Sequence, residues 1–108
     1  ISKGGLVPLQ DGMIVSNEPG YYATGKFGIR IENLQYARPA KTAKGARAML
    51  EFETLTLAPI DRRLIDKTML SHREISWLDA YHARVEKILL PKVEKATQSW
   101  LKRNCKPL

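Results

Sequence analysis

An α+β fold, antiparallel strands followed by helices, is predicted by three observations. Apolar and alternating runs occupy the first half of the 108 residues. Helical spacing takes over in the last third. A helix-start signature marks the change. Strands and helices are segregated rather than alternating, which argues against a parallel sheet. The length is enough for one compact domain.

The strands come first. Gly12 to Asn17, carrying Met13, Ile14 and Val15, is the first. Gly28 to Ala37 is the second and reads as one continuous strand. Its alternation puts Gly28, Arg30, Glu32 and Leu34 on one face and Ile29, Ile31, Asn33 and Gln35 on the other. Between these runs, Ala23-Thr24-Gly25-Lys26 reads as a hairpin apex. Met49 to Leu57 is the third strand. Pro59 ends it, because proline has no N–H to offer a central ladder. Pro39 to Arg47 is polar and basic and contains Gly45, so it reads as an exposed connection.

The helices follow. In Ser71-His72-Arg73-Glu74 the serine is placed to cap and the glutamate to reach back, a capping box. Ile75, Leu78, Tyr81, Val85, Ile88 and Leu89 then recur at helical spacing. Pro91 ends or kinks this helix, or opens the next at its first turn. The second helix carries Val93, Ala96, Trp100 and Leu101 on one side. The expected division is residues 1–61 for the strand region and 62–108 for the helical region.

Composition limits the function classes. The net charge is +7, yet the basic residues are dispersed from Lys41 to Lys106. They lack zinc-finger spacing, an RNA-binding signature or interleaved aromatics, so a solvated basic surface is expected, with no nucleic-acid partner. No apolar run is long enough to cross a bilayer, and no membrane partner is expected. The single cysteine, Cys105, allows no intrachain disulfide, which fits a reducing compartment; it reads as a spare thiol near an end. Ile1-Ser2-Lys3-Gly4-Gly5 does not begin with methionine and has no start-like character, so the chain reads as a piece of a longer polypeptide.

The candidate chemistry lies in Glu18 and Glu32. Gly25 is the midpoint of the two. Strands pairing symmetrically about it set the two glutamates opposite each other on one face, with Cβ atoms roughly 4.5–5.5 Å apart, where like charges repel. A hard divalent cation between them reverses that sign. The plain alternative is two strand-end glutamates facing water. Pro19 restricts Glu18 to extended backbone, and Gly20 permits a sharp turn after it. Arg30, on the Glu32 face, is either an ordinary surface ion pair or a cation that orients ligands. Tyr22 either turns its phenol into the same site or packs over the hairpin. Glu51 and Glu53 share one face of the third strand and are expected to be solvated. His82 falls on the apolar side of the first helix and is expected as a hydrogen-bonded core histidine rather than a ligand. His72 is expected at the surface. Trp77 and Trp100 are expected in packing or in a subunit contact.

Four segments also match a known pattern: Met13 to Tyr22, Gly25 to Asn33, Phe52 to Asp61 and Trp77 to His82. Together they resemble the creatinase/aminopeptidase P family of metallopeptidases, in particular its Xaa-Pro aminopeptidases, with their pita-bread catalytic fold. The resemblance implies a C-terminal portion of that catalytic domain followed by a helical C-terminal extension. It implies hydrolysis of the first residue from peptides with proline second, using two divalent ions, commonly manganese. Glu18 matches a glutamate that binds one ion and accepts a proton from the attacking hydroxide. Glu32 matches a glutamate that bridges both ions. Tyr22 and Arg30 match substrate-positioning residues. The family's two aspartate ligands and its histidine ligand have no counterpart here; Asp11, Asp61, Asp66, Asp79, His72 and His82 do not stand in the matching motifs. The chain alone is therefore expected to be inactive and to need the remainder of the catalytic domain. A cytoplasmic location and a homodimer of the full-length protein are expected on the same grounds. The competing expectation is a non-catalytic interaction or dimerisation module on the same fold.

Overall fold

A computed structural model describes residues 6–108; the reading of Ile1 to Gly5 lies outside the described residues. Two compact units divide between Thr56 and Leu57, where one compact domain was expected from length.

The first unit holds five strands: β1 (Ile14–Asn17), β2 (Gly20–Ala23), β3 (Phe27–Arg30), β4 (Asn33–Pro39) and β5 (Leu50–Thr54). The pairing is antiparallel throughout. Tyr21 pairs with Ile29 and Gly20 with Arg30; Asn17 pairs with Asn33 and Ile14 with Tyr36. Every one of these pairs is centred on Gly25, so β1–β2 and β3–β4 are the two arms of one long hairpin. Gly25 makes the turn possible: its φ is +70°, in the left-handed region that side chains with a Cβ rarely adopt. Lys26 N–H closes the turn on Ala23 O at 2.9 Å.

The expected continuous strand from Gly28 to Ala37 is broken at Ile31 and Glu32. Pro19 supplies the reason. Ile31 N–H donates to Pro19 O at 3.2 Å, but proline has no N–H to return the second bond of that pair. The arms stay in register across the gap. The result is a two-stranded ribbon, β2–β3, and a three-stranded sheet in the order β1–β4–β5.

Central β4 is the anchored strand. Ala37 is fully buried and Asn33 nearly so. Beyond β5 the chain stays close, with Leu55 N–H donating to Leu34 O at 2.7 Å and Thr56 Oγ1 accepting from Leu34 N–H at 2.8 Å. β5 is shorter than the Met49–Leu57 expectation. The connection between β4 and β5 is exposed and turns at Gly45, as its composition implied.

The second unit packs two helices, α1 (His72–Leu89) and α2 (Lys95–Asn104), with three short 3₁₀ turns. The capping box is complete: Glu74 N–H donates to Ser71 Oγ at 3.3 Å, and Ser71 N–H donates to Glu74 Oε2 at 2.8 Å. Pro91 sits in the 3₁₀ turn Leu90–Lys92 that ends α1. Leu78, Tyr81 and Val85 of α1 form the core with Leu101 and Cys105. Two expectations need correction here. Cys105 is a core residue rather than a spare thiol, and burial pushes its pKa up. The inward residues of α2 are Gln98 and Leu101, whereas Trp100 and Ala96 are exposed.

Buried polar groups bind this unit together. Tyr81 donates its hydroxyl to Ala58 O at 2.7 Å. His82, fully buried, accepts from Ile60 N–H at its Nε2 at 3.0 Å. Arg62 donates to the carbonyls of Arg103 and Pro107, and Leu108 N–H donates to Asp79 Oδ1 at 2.9 Å.

Candidate metal centre

Parity places every group of this centre. Alternate residues of a strand share a face, and pairs centred on Gly25 keep that alternation in step between the two arms. Ser16, Glu18, Gly20 and Tyr22 therefore come to one face together with Gly28, Arg30 and Glu32. Glu18 and Glu32 sit at the break between ribbon and sheet, beside the Pro19–Ile31 position, where Ile31 N–H to Pro19 O at 3.2 Å is the one bond of a pair that would otherwise have two.

The Arg30 guanidinium touches both carboxylates. Its Nη1 lies 3.4 Å from Glu18 Oε2, and its Nη2 lies 3.1 Å from Glu32 Oε2. All three side chains are nearly half exposed. The Glu32 carboxylate holds the Arg30 pKa further above its ordinary value, with the Tyr22 phenol and Glu18 contributing after it.

Two supports were not anticipated. Ser16 donates its hydroxyl to Glu18 Oε1 at 2.8 Å, so the Glu18 carboxylate is engaged at both oxygens. The signal was present in the i, i+2 spacing of Ser16 and Glu18. The second support is a glycine track under Tyr22. A Cβ on Gly28 would fall 2.7 Å from Tyr22 Cδ1, and one on Gly20 would fall 2.9 Å from the Tyr22 hydroxyl. The ring thus lies flat along the face, with its phenol over Gly20, the register partner of Arg30. Tyr22 packs over the hairpin, with its hydroxyl at Gly20.

The other candidates fall elsewhere. Glu51 and Glu53 are ion-paired to Arg38, at 2.8 and 2.6 Å, and Tyr36 donates to Glu53 at 3.0 Å. His72 is exposed at the start of α1. His82 is a core residue of the helical unit; burial, and next the Arg62 charge, push its pKa down. Among the described residues no group of three or more His, Cys, Asp or Glu gathers.

The donor set fits a hard divalent cation. It offers carboxylate oxygens only, and a cationic group already bridges them. Two carboxylates do not fill the octahedral or larger shell such an ion takes.

Residues 48–108 match the C-terminal region of peptidase M24, and residues 1–39 match metallopeptidase family M24. Aminopeptidase P2 of Arabidopsis thaliana is 49% identical over 108 residues, covering 97% of this chain and 15% of that protein. A probable Xaa-Pro aminopeptidase P of Laccaria bicolor is 47% identical over 105 residues, covering 94% of this chain and 16% of that protein. The crystal structure of X-prolyl aminopeptidase from Caenorhabditis elegans, described as a cytosolic enzyme with a di-nuclear active site, superposes with a TM-score of 0.82 at 39% identity. It covers 93% of this chain and 17% of that one. The chain thus spans less than a fifth of the length of these relatives.

Proposed function

The chain belongs to the M24 metallopeptidase family, and from that premise we propose that it is the C-terminal portion of an Xaa-Pro aminopeptidase contributing two carboxylates to a dinuclear metal site. The observation that carries this reading is the convergence of Glu18 and Glu32 on one guanidinium. Carboxylates that share a cation across a hairpin are positioned to share a different one. The di-nuclear active site of the C. elegans enzyme supports two ions; manganese is our assignment.

Divalent ions at this place would lower the pKa of water and polarise a peptide carbonyl. The residues of the chain do the rest. Glu18 and Glu32 would hold the ions, and Glu18 would serve as the proton acceptor for water activated there. Ser16 keeps the Glu18 carboxylate from rotating. Tyr22 and Arg30 flank the acidic pair with donors and position the peptide. We assign the remaining ligands to other parts of the full-length enzyme, since two glutamates do not complete the shell.

We place the end of the catalytic domain at residue 61 and a helical extension at residues 62–108. The exposed apolar side chains of the strand unit, Ile14, Leu34 and Phe52 among them, are the surface we assign to the remainder of that domain. Trp77, half exposed and stacked on Tyr81 with centroids 5.6 Å apart, is our choice for a homodimer contact. No helix among the described residues is long and apolar enough to cross a membrane. From the cytosolic C. elegans relative we propose a cytoplasmic enzyme.

The test is release of the first residue from an Xaa-Pro peptide with manganese present. The full-length protein should turn over, its Glu18→Gln and Glu32→Gln forms should lose activity by orders of magnitude, and the 108 residues alone should show none. Full activity in both variants would refute the assignment and favour the non-catalytic interaction module.

A further inference from the structure

We propose that Arg30 is a built-in countercation for Glu18 and Glu32: it holds the two carboxylates together before divalent ions arrive and competes with those ions for the same oxygens. The inference rests on the metal-site reading above and adds a loading step to it.

The hairpin register aims two like charges at each other, and at this position the backbone ladder is interrupted by Pro19. There a single bond, Ile31 N–H to Pro19 O at 3.2 Å, ties the arms where a full pair would make two. Arg30 adds attraction by ion-pairing with Oε2 of Glu18 and Oε2 of Glu32 through two nitrogens of one planar fork. Each of those oxygens is one that an ion would need. A divalent cation therefore has to displace a guanidinium that cannot lose its proton. Tyr22 lies on the same face, with its hydroxyl over the Gly20–Arg30 register pair, and gives the displaced guanidinium a partner. The arrangement trades ion affinity for order in the unloaded site.

Competition and a merely structural role for Arg30 shift ion binding in opposite directions. If Arg30 only shaped the site, removing it would weaken ion binding. If it competes, removing it strengthens ion binding while loosening the unloaded hairpin. The experiment uses metal-stripped full-length protein and Mn²⁺ alone as the probe, in competition with a chelating indicator. Arg30→Gln should lower the Mn²⁺ dissociation constant roughly three- to tenfold, the scale of losing one or two exposed ion pairs. Arg30→Lys, which keeps the charge but not the fork, should lie between Arg30→Gln and the parent. Amide hydrogen exchange at Ile31 and Glu32 should be faster in stripped Arg30→Gln than in stripped parent, and Mn²⁺ should erase the difference. Unchanged or weaker Mn²⁺ binding by Arg30→Gln would overturn the proposal. Glu18→Gln and Glu32→Gln are measured alongside: parent-like binding by these would overturn the metal-site reading itself, and this inference with it.

Discussion

Ser16 and Glu18, two positions apart on one strand face, are joined by a 2.8 Å hydrogen bond from hydroxyl to carboxylate. The bond fixes which way Glu18 points. Residues that orient a metal ligand are worth about 10–100-fold in metal affinity or activity. Ser16→Ala in the full-length enzyme should therefore lose at least about tenfold in manganese affinity, and Ser16→Thr, which keeps the hydroxyl, should restore most of it. Equal affinity in all three would leave the serine without a role.

The glycine track makes a second prediction. A methyl at Gly28 meets the Tyr22 ring at 2.7 Å, so Gly28→Ala must push the ring off the face. Its kcat/KM should fall by about the same factor as that of Tyr22→Ala. The double variant should be no worse than either single one, because both remove the same placement. Additive losses would show that the two act separately.

His82 makes the helical unit sensitive to acid. Its folded pKa lies below the ordinary value because burial, then the Arg62 charge, disfavours the imidazolium, against Asp79, which favours it; the Ile60 N–H bond to Nε2 also needs the neutral ring. Between the folded value and about 6.5 the unfolded chain binds the extra proton. Stability is thus complete above about pH 6.5 and falls as the pH drops below it, with a slope of at most about 1.4 kcal/mol per pH unit. Urea unfolding followed by Trp77 fluorescence from pH 7.5 to 5 should show this fall, and His82→Gln should flatten it.

Asp61 behaves differently. Its carboxylate accepts from the Arg63 side chain and N–H, and these bonds lower its pKa to about 2. Asp61 is the N-cap of the 3₁₀ turn Arg62–Leu64; the cap is fully formed above about pH 4, the unfolded value, and is lost as pH falls through about 2. NMR titration of the Asp61 carboxyl carbon should give a midpoint near that lower value, and Arg63→Ala should raise it.

The hairpin symmetry was legible because it depends on one short turn: a glycine between two runs sets the register of both arms, and parity then assigns each side chain to a face. The break at Ile31–Glu32 was not, since alternation continues through it and the cause, Pro19, lies on the opposite arm. The helix start was legible for a similar local reason, as Ser71 and Glu74 bond only each other's backbone and side chains. The burial of Cys105 and the exposure of Ala96 were not legible, because helical spacing alone does not reveal which face a neighbouring helix covers. The Ser16–Glu18 bond is not legible from its i, i+2 spacing alone, because a serine in a strand has many partners available to it.

The central claim is that Glu18 and Glu32 bind the same metal centre. Its most direct measurement is an anomalous difference map from crystals of the full-length protein grown with manganese. The account predicts peaks within about 2.0–2.6 Å of carboxylate oxygens from both residues, with Arg30 moved off at least one of them. Manganese bound elsewhere, or touching neither glutamate, would contradict it.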